Sequence, residues 1–199
     1  MVAQRNEHLK GSRFWNSMEY LITLLLMMVI AFSIRAVIFE PMRVKGSSMK
    51  DTLQPGDYMA VEKLSYIVKP MKRGDVVICY YPNNDEYTCV KRIIGLSGDT
   101  ITIEEGVVSV NGVRLQEDYV TTGMTPKHDG TYEVEEDCIF VMGDNRNGSR
   151  DSRSPDIGLV DKREVLGKVI FLFLPGTNGT DIYGRPNEER DFGRIGVVD

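Results

Sequence analysis

The sequence predicts a mainly β fold, an antiparallel β-barrel or curled sheet, preceded by one N-terminal transmembrane α-helix. Residues 21–39 form an apolar run that contains a single charge, Arg35. After Met42, apolar runs of strand length alternate with Gly, Pro and Asn residues that favour turns. With 42% hydrophobic and 27% charged residues, the chain has the composition of a protein with a packed core.

The apolar run has the length of a membrane span. As a helix it extends roughly 28 Å at ~1.5 Å per residue, against a hydrocarbon core of about 30 Å. Trp15 and Tyr20 lie at one end, Arg35 lies in the last turn, and Glu40-Pro41 ends the helix. We therefore expect a short cytoplasmic N-terminus at 1–19, a transmembrane helix at 20–40, an extracytoplasmic β-rich domain at 41–175 and a polar, solvated tail at 176–199.

Two other interpretations of the run are open. It could be a cleaved signal peptide, since Ala31-Phe32-Ser33 is an acceptable small-x-small site, although the apolar run resumes after it. It could also be a buried helix of a soluble protein, although residues 21–34 have no polar face apart from two hydroxyls. Basic residues flank both ends, so the positive-inside bias does not decide the topology.

Eight short runs in the rest of the chain are typical of strands. They are residues 58–61, 75–81, 87–94, 100–104, 107–110, 113–115, 139–142 and 165–174. Glu105-Gly106 and Asn111-Gly112 are tight-turn signals between neighbouring runs. This spacing favours an antiparallel barrel or curled sheet over βαβ units. Residues 119–130 have few apolar side chains and predict an exposed loop.

Composition excludes several classes of function. The formal net charge is −5 and the pI is about 5.2, which argues against a nucleic-acid partner. The sequence contains no phosphate loop, no paired-cysteine zinc spacing and no dinucleotide fingerprint. We therefore expect no cofactor and no metal.

Cys79 and Cys89 flank a turn signal, Pro82-Asn83-Asn84-Asp85. A hairpin centred on Asn84 places the two cysteines opposite each other. They could be free, half-buried thiols, or they could form a cross-strand disulfide in an oxidising compartment.

Ser48 is a candidate nucleophile close to the apolar run. Serine needs a base, because its hydroxyl must lose a proton as it attacks. Gly46 allows another backbone to come close, and a backbone N–H here could bind the negative oxygen formed from a carbonyl. Gly-Ser-Ser is also a common loop composition, so the segment is weak evidence by itself.

Lys91 is the candidate base. Strand alternation places Cys89, Lys91 and Ile93 on one face, so Lys91 has apolar neighbours. Burial disfavours the charged form of an amine, and a neutral lysine can take the serine proton. The alternative is a surface lysine at a strand edge.

A third segment, residues 143–153, is dense in Gly, Asn, Asp and Ser, which indicates turns held by side-chain-to-backbone hydrogen bonds. Asp151 and Arg153 could pair, and Ser149 could hydrogen bond with a lysine amine. The segment alone could be an ordinary structural loop. All three segments behind a membrane span favour a catalytic site.

Together these segments resemble the bacterial type I signal peptidases, membrane enzymes that remove signal peptides from exported proteins. The most specific motif is Gly143-Asp144-Asn145 with Ser149, Asp151, Ser152 and Arg153. Residues 44–49 resemble the nucleophile box of the family, and residues 90–95 resemble its lysine box. The resemblance covers about residues 35–174, and the single N-terminal span is similar to the shorter, Gram-positive type.

The resemblance implies a Ser–Lys dyad that works through an acyl-enzyme. Ser48 would be the nucleophile, and its N–H would form the oxyanion hole; Lys91 would be the base. The implied supporting residues are Ser149, which orients the lysine, the pairs Asp144–Arg92 and Asp151–Arg153, and Asn145. The implied substrate-binding residues are Val44, Gly46, Ser47, Met49 and Val90.

The resemblance also implies the partners: a lipid bilayer and the signal peptides of preproteins, with small residues at positions −3 and −1. We expect a monomer in the cell membrane with its catalytic domain outside the cytoplasm. Three positions depart from the family. Asp51 and Ser97 stand where the family usually has proline, and Gly46 stands where some relatives have a serine hydroxyl.

Three competing functions are weaker. A serine–histidine site would have to use His128, which lies in a polar, loop-like stretch, or His8, which precedes the span. A self-cleaving repressor-type protease would carry a DNA-binding domain where residues 1–41 hold a span. An inactive membrane-anchored binding protein would not need the intact Ser48, Lys91 and Ser149.

Overall fold

The computed structural model describes residues 2–81, 84–126, 128–177 and 190–198. It divides into two compact units, residues 1–39 and residues 40–199. The first unit is helical, and the second is built mainly from antiparallel strands. The predicted β-rich fold is therefore confirmed for the second unit.

The first unit is helix α1, Val2–Ile38. It begins well before the apolar run, so the segment 1–19, for which we predicted no structure, is helical from Val2. The hydroxyls of Thr23 and Ser33 donate to helix carbonyls one turn back, at 2.8 and 2.7 Å. In the part of the chain that the structure describes, no helix meets the length and apolarity required to cross a membrane.

The described part of the second unit contains twelve strands and one short α-helix. The strands are β1 Phe39–Arg43, β2 Tyr58–Glu62, β3 Val76–Tyr81, β4 Asn84–Leu96, β5 Thr100–Glu104, β6 Val107–Val110, β7 Val113–Arg114, β8 Gly130–Glu133, β9 Cys138–Met142, β10 Val160–Asp161, β11 Val165–Leu174 and β12 Gly196–Val197. The short helix, α2, is Ser65–Val68. Each of the eight predicted runs corresponds to one of these strands.

The described strands form two sheets. The larger has the order β1-β2-β11-β3-β4-β9-β10, with β12 added to β11, and the smaller has the order β7-β6-β5-β8. Among the described residues the larger sheet ends at β1 and β10 and does not close. The barrel alternative is therefore wrong for this part of the chain, because β10 is only two residues long and pairs with β9 alone.

The predicted tight turns are confirmed. Glu105 and Gly106 have φ values of 48° and 80°, and Asn111 and Gly112 have 52° and 77°. Two successive positive φ angles match the twist of the flanking strands. The predicted β3–β4 hairpin also forms, although Pro82 and Asn83 of its turn lie outside the described residues.

A buried cluster under residues 44–53 fixes the segment that carries Ser48. Met49 is 1% exposed and Leu53 is 0% exposed, and both pack against β2, β3 and β11. The Met49 carbonyl accepts hydrogen bonds from the N–H groups of Thr52 and Leu53. This segment, residues 44–53, is called the nucleophile turn after the predicted role of Ser48. It is thus held by two apolar anchors on the side opposite to the exposed residues Gly46 and Ser47.

The solvated tail predicted from Gly176 is wrong for residues 190–198. β12 pairs with β11, and Val198 is 5% exposed within the cluster under the nucleophile turn. Arg194 forms a salt bridge with Asp57, a carboxylate with no exposed surface. The polar composition predicted a solvated tail, but the salt bridge of Arg194 and the buried side chain of Val198 hold residues 190–198 against the fold. Residues 178–189 lie outside the described residues.

We expect Arg194→Ala to destabilise the protein. Asp57 accepts from Arg194 Nη1 and Nη2 at 3.0 and 2.7 Å, and Arg194 also donates to the Thr52 carbonyl. Removing the guanidinium leaves a buried carboxylate without its cation, which costs about 3 kcal/mol. The matched control is Arg163→Ala, which breaks an exposed pair with Asp161 and should cost far less, because solvent screens that pair. Urea denaturation of both variants measures the difference, and equal losses would contradict a clamping role for residues 190–198.

Candidate active site

Ser48 lies in the turn between β1 and β2, and its side chain is half-buried. Within this connection the Lys50 N–H donates to the Ser47 carbonyl at 3.1 Å, which forms a tight turn at Ser48. Met49 points into the core, so Ser48 faces the other way. The serine hydroxyl is thereby presented to β4.

Lys91 lies on β4, opposite Val77 of β3, and is 2% exposed. Its Nζ is 2.8 Å from Ser48 Oγ. Among the described residues, no carboxylate lies within salt-bridge distance of this amine. Lys91 is therefore a buried amine whose described side-chain hydrogen-bond partner is the Ser48 hydroxyl. The predicted juxtaposition of Ser48 and Lys91 is present.

The next residue on β4, Arg92, is also buried but does have an acidic partner, Asp144. It is 1% exposed and holds Asp144 through two hydrogen bonds, Nε to Oδ1 at 2.9 Å and Nη2 to Oδ2 at 2.8 Å. Arg92 also donates to the Gly74 carbonyl, and Thr52 donates to Asp144. The predicted Asp144–Arg92 pair is present, and Thr52 connects it to the nucleophile turn.

Asn145 ties the loop 143–153 to the nucleophile turn. Its backbone N–H donates to the Ser48 carbonyl at 3.0 Å, and its side-chain amide donates to the Ser47 carbonyl at 3.0 Å. Gly143 permits this close approach. A Cβ at Gly143 would lie 2.3 Å from Ser149 Oγ and 2.4 Å from the Ser48 carbonyl oxygen.

Asp151 and Arg153 form the second predicted pair. Arg153 donates to both carboxylate oxygens at 2.8 Å, and the Gly143 N–H donates to Oδ2 at 2.9 Å. Burial raises the pKa of Asp151, but the hydrogen bonds and charge of Arg153 outweigh it and leave the pKa below its ordinary value. The pair therefore stays ionised and fixes the start of the loop.

Ser149 was predicted to orient the Lys91 amine. Its hydroxyl is buried and has no hydrogen-bond partner within the described residues, although it lies near enough to Asp151 to contribute to the lowered pKa of that carboxyl. The described contacts of the Lys91 amine include Ser48 and not Ser149. The role of Ser149 toward Lys91 stays a prediction.

Three supporting residues were not predicted from the sequence. Tyr119 lies over the Arg92 guanidinium, 3.9 Å from the ring centroid to Cζ, and its hydroxyl donates to Glu117. Glu117 in turn accepts two hydrogen bonds from Arg146, which is 3% exposed. Burial, followed by the charge of Glu117, raises the pKa of Tyr119. A tyrosine and a glutamate in a polar stretch carry no local signal for such contacts.

A cleft of about 470 Å³ opens beside the Ser48–Lys91 pair. It is lined by residues of four segments: Glu40–Gly46 with Ser48 and Met49, then Met59 of β2, then Ile78 and Tyr81 of β3, and finally Tyr87–Lys91 of β4. The predicted substrate-binding residues Val44, Gly46, Met49 and Val90 line it, whereas Ser47 does not. Val44 and Met49 are also core residues, at 5% and 1% exposed.

The serine–histidine alternative is not assembled in the described residues. His128 donates no described side-chain hydrogen bond to Ser48; its described contact is a backbone carbonyl that accepts from Tyr132. The side chain of His8 lies outside the described residues. In the same described part of the chain, no cluster of His, Cys, Asp and Glu could hold a metal ion.

Comparisons with known proteins give the family of this chain. A family model described as "Signal peptidase, peptidase S26" matches residues 17–174. The chain is 37% identical over 186 residues to a signal peptidase I of Bacillus licheniformis, covering 88% of this chain and 96% of the relative. It is 33% identical over 175 residues to a signal peptidase IB of Staphylococcus aureus, covering 79% and 90%. A crystal structure of a signal peptidase I from Enterococcus faecalis, 32% identical, covers 51% of this chain and 97% of its own, with a TM-score of 0.45.

We expect Gly143→Ala to disrupt the site. The added methyl would overlap the Ser48 carbonyl, which is backbone and cannot rotate away, so the nucleophile turn and the loop must separate. Peptidase activity should fall at least about tenfold, with loss of roughly 1–3 kcal/mol of stability. Gly123→Ala is the matched control, since nothing lies within 4 Å of the position that its added Cβ would take. Unchanged activity of Gly143→Ala would contradict the packing of the loop against the nucleophile turn.

The Asp151–Arg153 pair makes a specific contribution to acid stability. A carboxyl whose pKa is lowered on folding stabilises the protein above its unfolded-state pKa, and this contribution is lost as the pH falls through the folded-state value. The free energy of unfolding of the native protein should therefore exceed that of Asp151→Asn near neutral pH. The excess should shrink below about pH 4, the ordinary pKa of an aspartate. Urea titrations across this range measure it, and an excess that is independent of pH would contradict the assignment.

Proposed function

The chain belongs to the peptidase S26 family of signal peptidases, and on that premise we propose that it is a membrane-anchored endopeptidase that cleaves signal peptides from exported preproteins through a Ser48–Lys91 dyad. Membership of the family makes it a serine peptidase. The observation that carries the proposed mechanism is the 2.8 Å contact between Ser48 Oγ and the buried Lys91 Nζ. This contact supports the proposal, because an amine within hydrogen-bond distance of the hydroxyl could take its proton.

The proposed reaction uses this contact between Ser48 and Lys91. Neutral Lys91 accepts the Ser48 proton as the serine oxygen attacks the scissile carbonyl, and collapse of the tetrahedral intermediate leaves an acyl-enzyme. The resulting lysine ammonium protonates the departing amine. Lys91 then activates a water molecule that hydrolyses the ester, which restores the free serine.

The Ser48 N–H is the proposed oxyanion donor, because the attacking residue places its own amide beside the carbonyl. Gly46 offers no hydroxyl for a second hydrogen bond, so that donor must come from backbone or solvent. The Ser149 hydroxyl is buried near this site and lacks a described partner, which leaves it free to orient the Lys91 amine.

The substrate is proposed to bind as an extended strand. β4 pairs with β9 only from Arg92 onward, so in the described part of the chain Tyr87–Lys91 has a strand partner on one side only. A peptide in the cleft could add hydrogen bonds along this open edge. The cleft is lined by bulky side chains, among them those of Met59, Ile78 and Val90, which favour small substrate side chains beside the scissile bond. The proposed substrates are therefore preproteins that carry small residues at positions −1 and −3.

We further propose that α1 anchors the enzyme in the membrane, with the β-rich unit on the extracytoplasmic side. Apart from Thr23, the side chains from Leu21 to Ile30 are large, apolar and 49–61% exposed. The two hydroxyls of the run, those of Thr23 and Ser33, are satisfied inside the helix. The apolar sequence continues to Phe39. Exposed apolar side chains of this kind are suited to contact with lipid.

The test is cleavage of a labelled preprotein by the full chain in detergent. Ser48→Ala and Lys91→Met should each lose at least about 10³-fold in cleavage rate, because neither nucleophile nor base can be replaced. Methionine keeps the buried volume of lysine, so the fold should persist by circular dichroism. Lys50→Met, at an exposed position in the same turn, is the control and should retain activity. Substantial cleavage by folded Lys91→Met would remove Lys91 from the mechanism.

A further inference from the structure

Two cysteines next to the catalytic strand have no part in the proposed mechanism. Cys79 of β3 and Cys89 of β4 are directly opposite each other in the strand register. Their sulfur atoms are 3.4 Å apart, and their side chains are buried, at 0% and 9% exposed. Both are free thiols in the structure.

We propose that Cys79 and Cys89 are a disulfide-forming pair, which a disulfide oxidant closes into a bridge across the hairpin that carries Lys91. The proposal concerns covalent chemistry beyond the cleavage reaction and does not depend on it.

The register already supplies the required geometry. Opposite residues of an antiparallel pair have Cβ atoms about 4.5–5.5 Å apart, close to the about 3.5–4.5 Å that a disulfide needs. Tyr80↔Thr88 and Ile78↔Val90 continue the pairing on either side, so both backbones are fixed by the ladder. The two sulfur atoms have to move only slightly closer together, and the register of the two strands does not have to change.

The two thiols differ in access and acidity. Cys89 lines the cleft beside Lys91, whereas Cys79 lies beneath it without exposed surface. The hydrogen bond between the thiols lowers the pKa of Cys89 and, together with burial, raises that of Cys79. Cys89 is therefore the thiol that meets an oxidant first, since the thiolate is the reactive form.

The chemistry is a double thiol–disulfide exchange. The Cys89 thiolate attacks oxidised glutathione, forms a mixed disulfide and releases one glutathione thiolate. Cys79 then loses its proton and attacks the Cys89 sulfur, which forms the Cys79–Cys89 bond and releases the second glutathione. The two protein thiols lose two electrons and two protons, and the oxidant gains them as two glutathione thiols.

Cys138 provides an internal control. It begins β9, is half-buried, and pairs in register with Asp161 of β10 rather than with β3. It has no cysteine partner among the described contacts, so it should remain a free thiol after oxidation.

The test uses the full chain in detergent, which is treated with oxidised glutathione while folded and is then unfolded and alkylated, so that every remaining thiol can react. The expected product carries one alkyl group, at Cys138, and digestion yields a peptide that joins Cys79 to Cys89. Cys79→Ser should instead retain a glutathione on Cys89, because the resolving thiol is missing. Cys89→Ser should gain none at Cys79, which the cleft does not reach.

Closing the bridge should also stabilise the fold. From the length of the loop that a Cys79–Cys89 bond closes, we expect the Tm to rise by roughly 5–10 °C on oxidation. The rise should vanish in Cys79→Ser. Folded, oxidised protein in which both Cys79 and Cys89 still take the alkyl group would overturn the proposal. So would a bridge that involves Cys138. Preprotein cleavage measured on the same samples separates the two claims, since it reports on Ser48 and Lys91 and not on the bridge.

Discussion

The proposed mechanism depends on one buried amine, that of Lys91, which has no acid beside it among the described residues. Lys91 and Arg92 are adjacent on β4 and equally buried, yet in the described structure only Arg92 has a carboxylate, Asp144. An ion pair with Lys91 would hold the amine protonated and remove the base. Directing the acid to Arg92 leaves Lys91 with a single described hydrogen-bond partner, the Ser48 hydroxyl. The proposed dyad depends on this difference between two neighbouring basic residues.

The loop 143–153 provides the acidic partner of Arg92 and also holds the turn that carries Ser48. Asp144 neutralises Arg92 and accepts from Thr52, while Asn145 binds the carbonyls of Ser47 and Ser48. Consecutive residues of one loop therefore fix both the base strand and the nucleophile turn. Tyr119 covers one face of the Arg92 guanidinium, so a residue from the connection between β7 and β8 helps to hold the charge in place. The distance between Ser48 and Lys91 is thus set by residues that touch neither reacting atom.

Local patterns predicted most of the strands and the candidate catalytic residues. Period-two alternation and turn pairs such as Asn111-Gly112 act over a few residues, and the Gly143–Arg153 motif is contiguous, so both are readable in sequence. Contacts between segments that are far apart in the sequence could not be predicted in this way. Arg194 binds Asp57 across 137 positions, and nothing in its polar surroundings marks it as the partner of a buried acid. The helical start at Val2 was missed for a related reason, because an apolar run marks the part suited to a bilayer and not the whole helix.

The most direct test of the proposed dyad is acylation of Ser48 by an activated ester, followed by intact-mass measurement and peptide mapping. We predict one adduct per chain, on Ser48, in the native protein, and at least about 100-fold slower labelling in folded Lys91→Met, because the hydroxyl then lacks its base. Labelling of Ser48 at an unchanged rate in Lys91→Met would contradict the dyad, as would an adduct on any other serine.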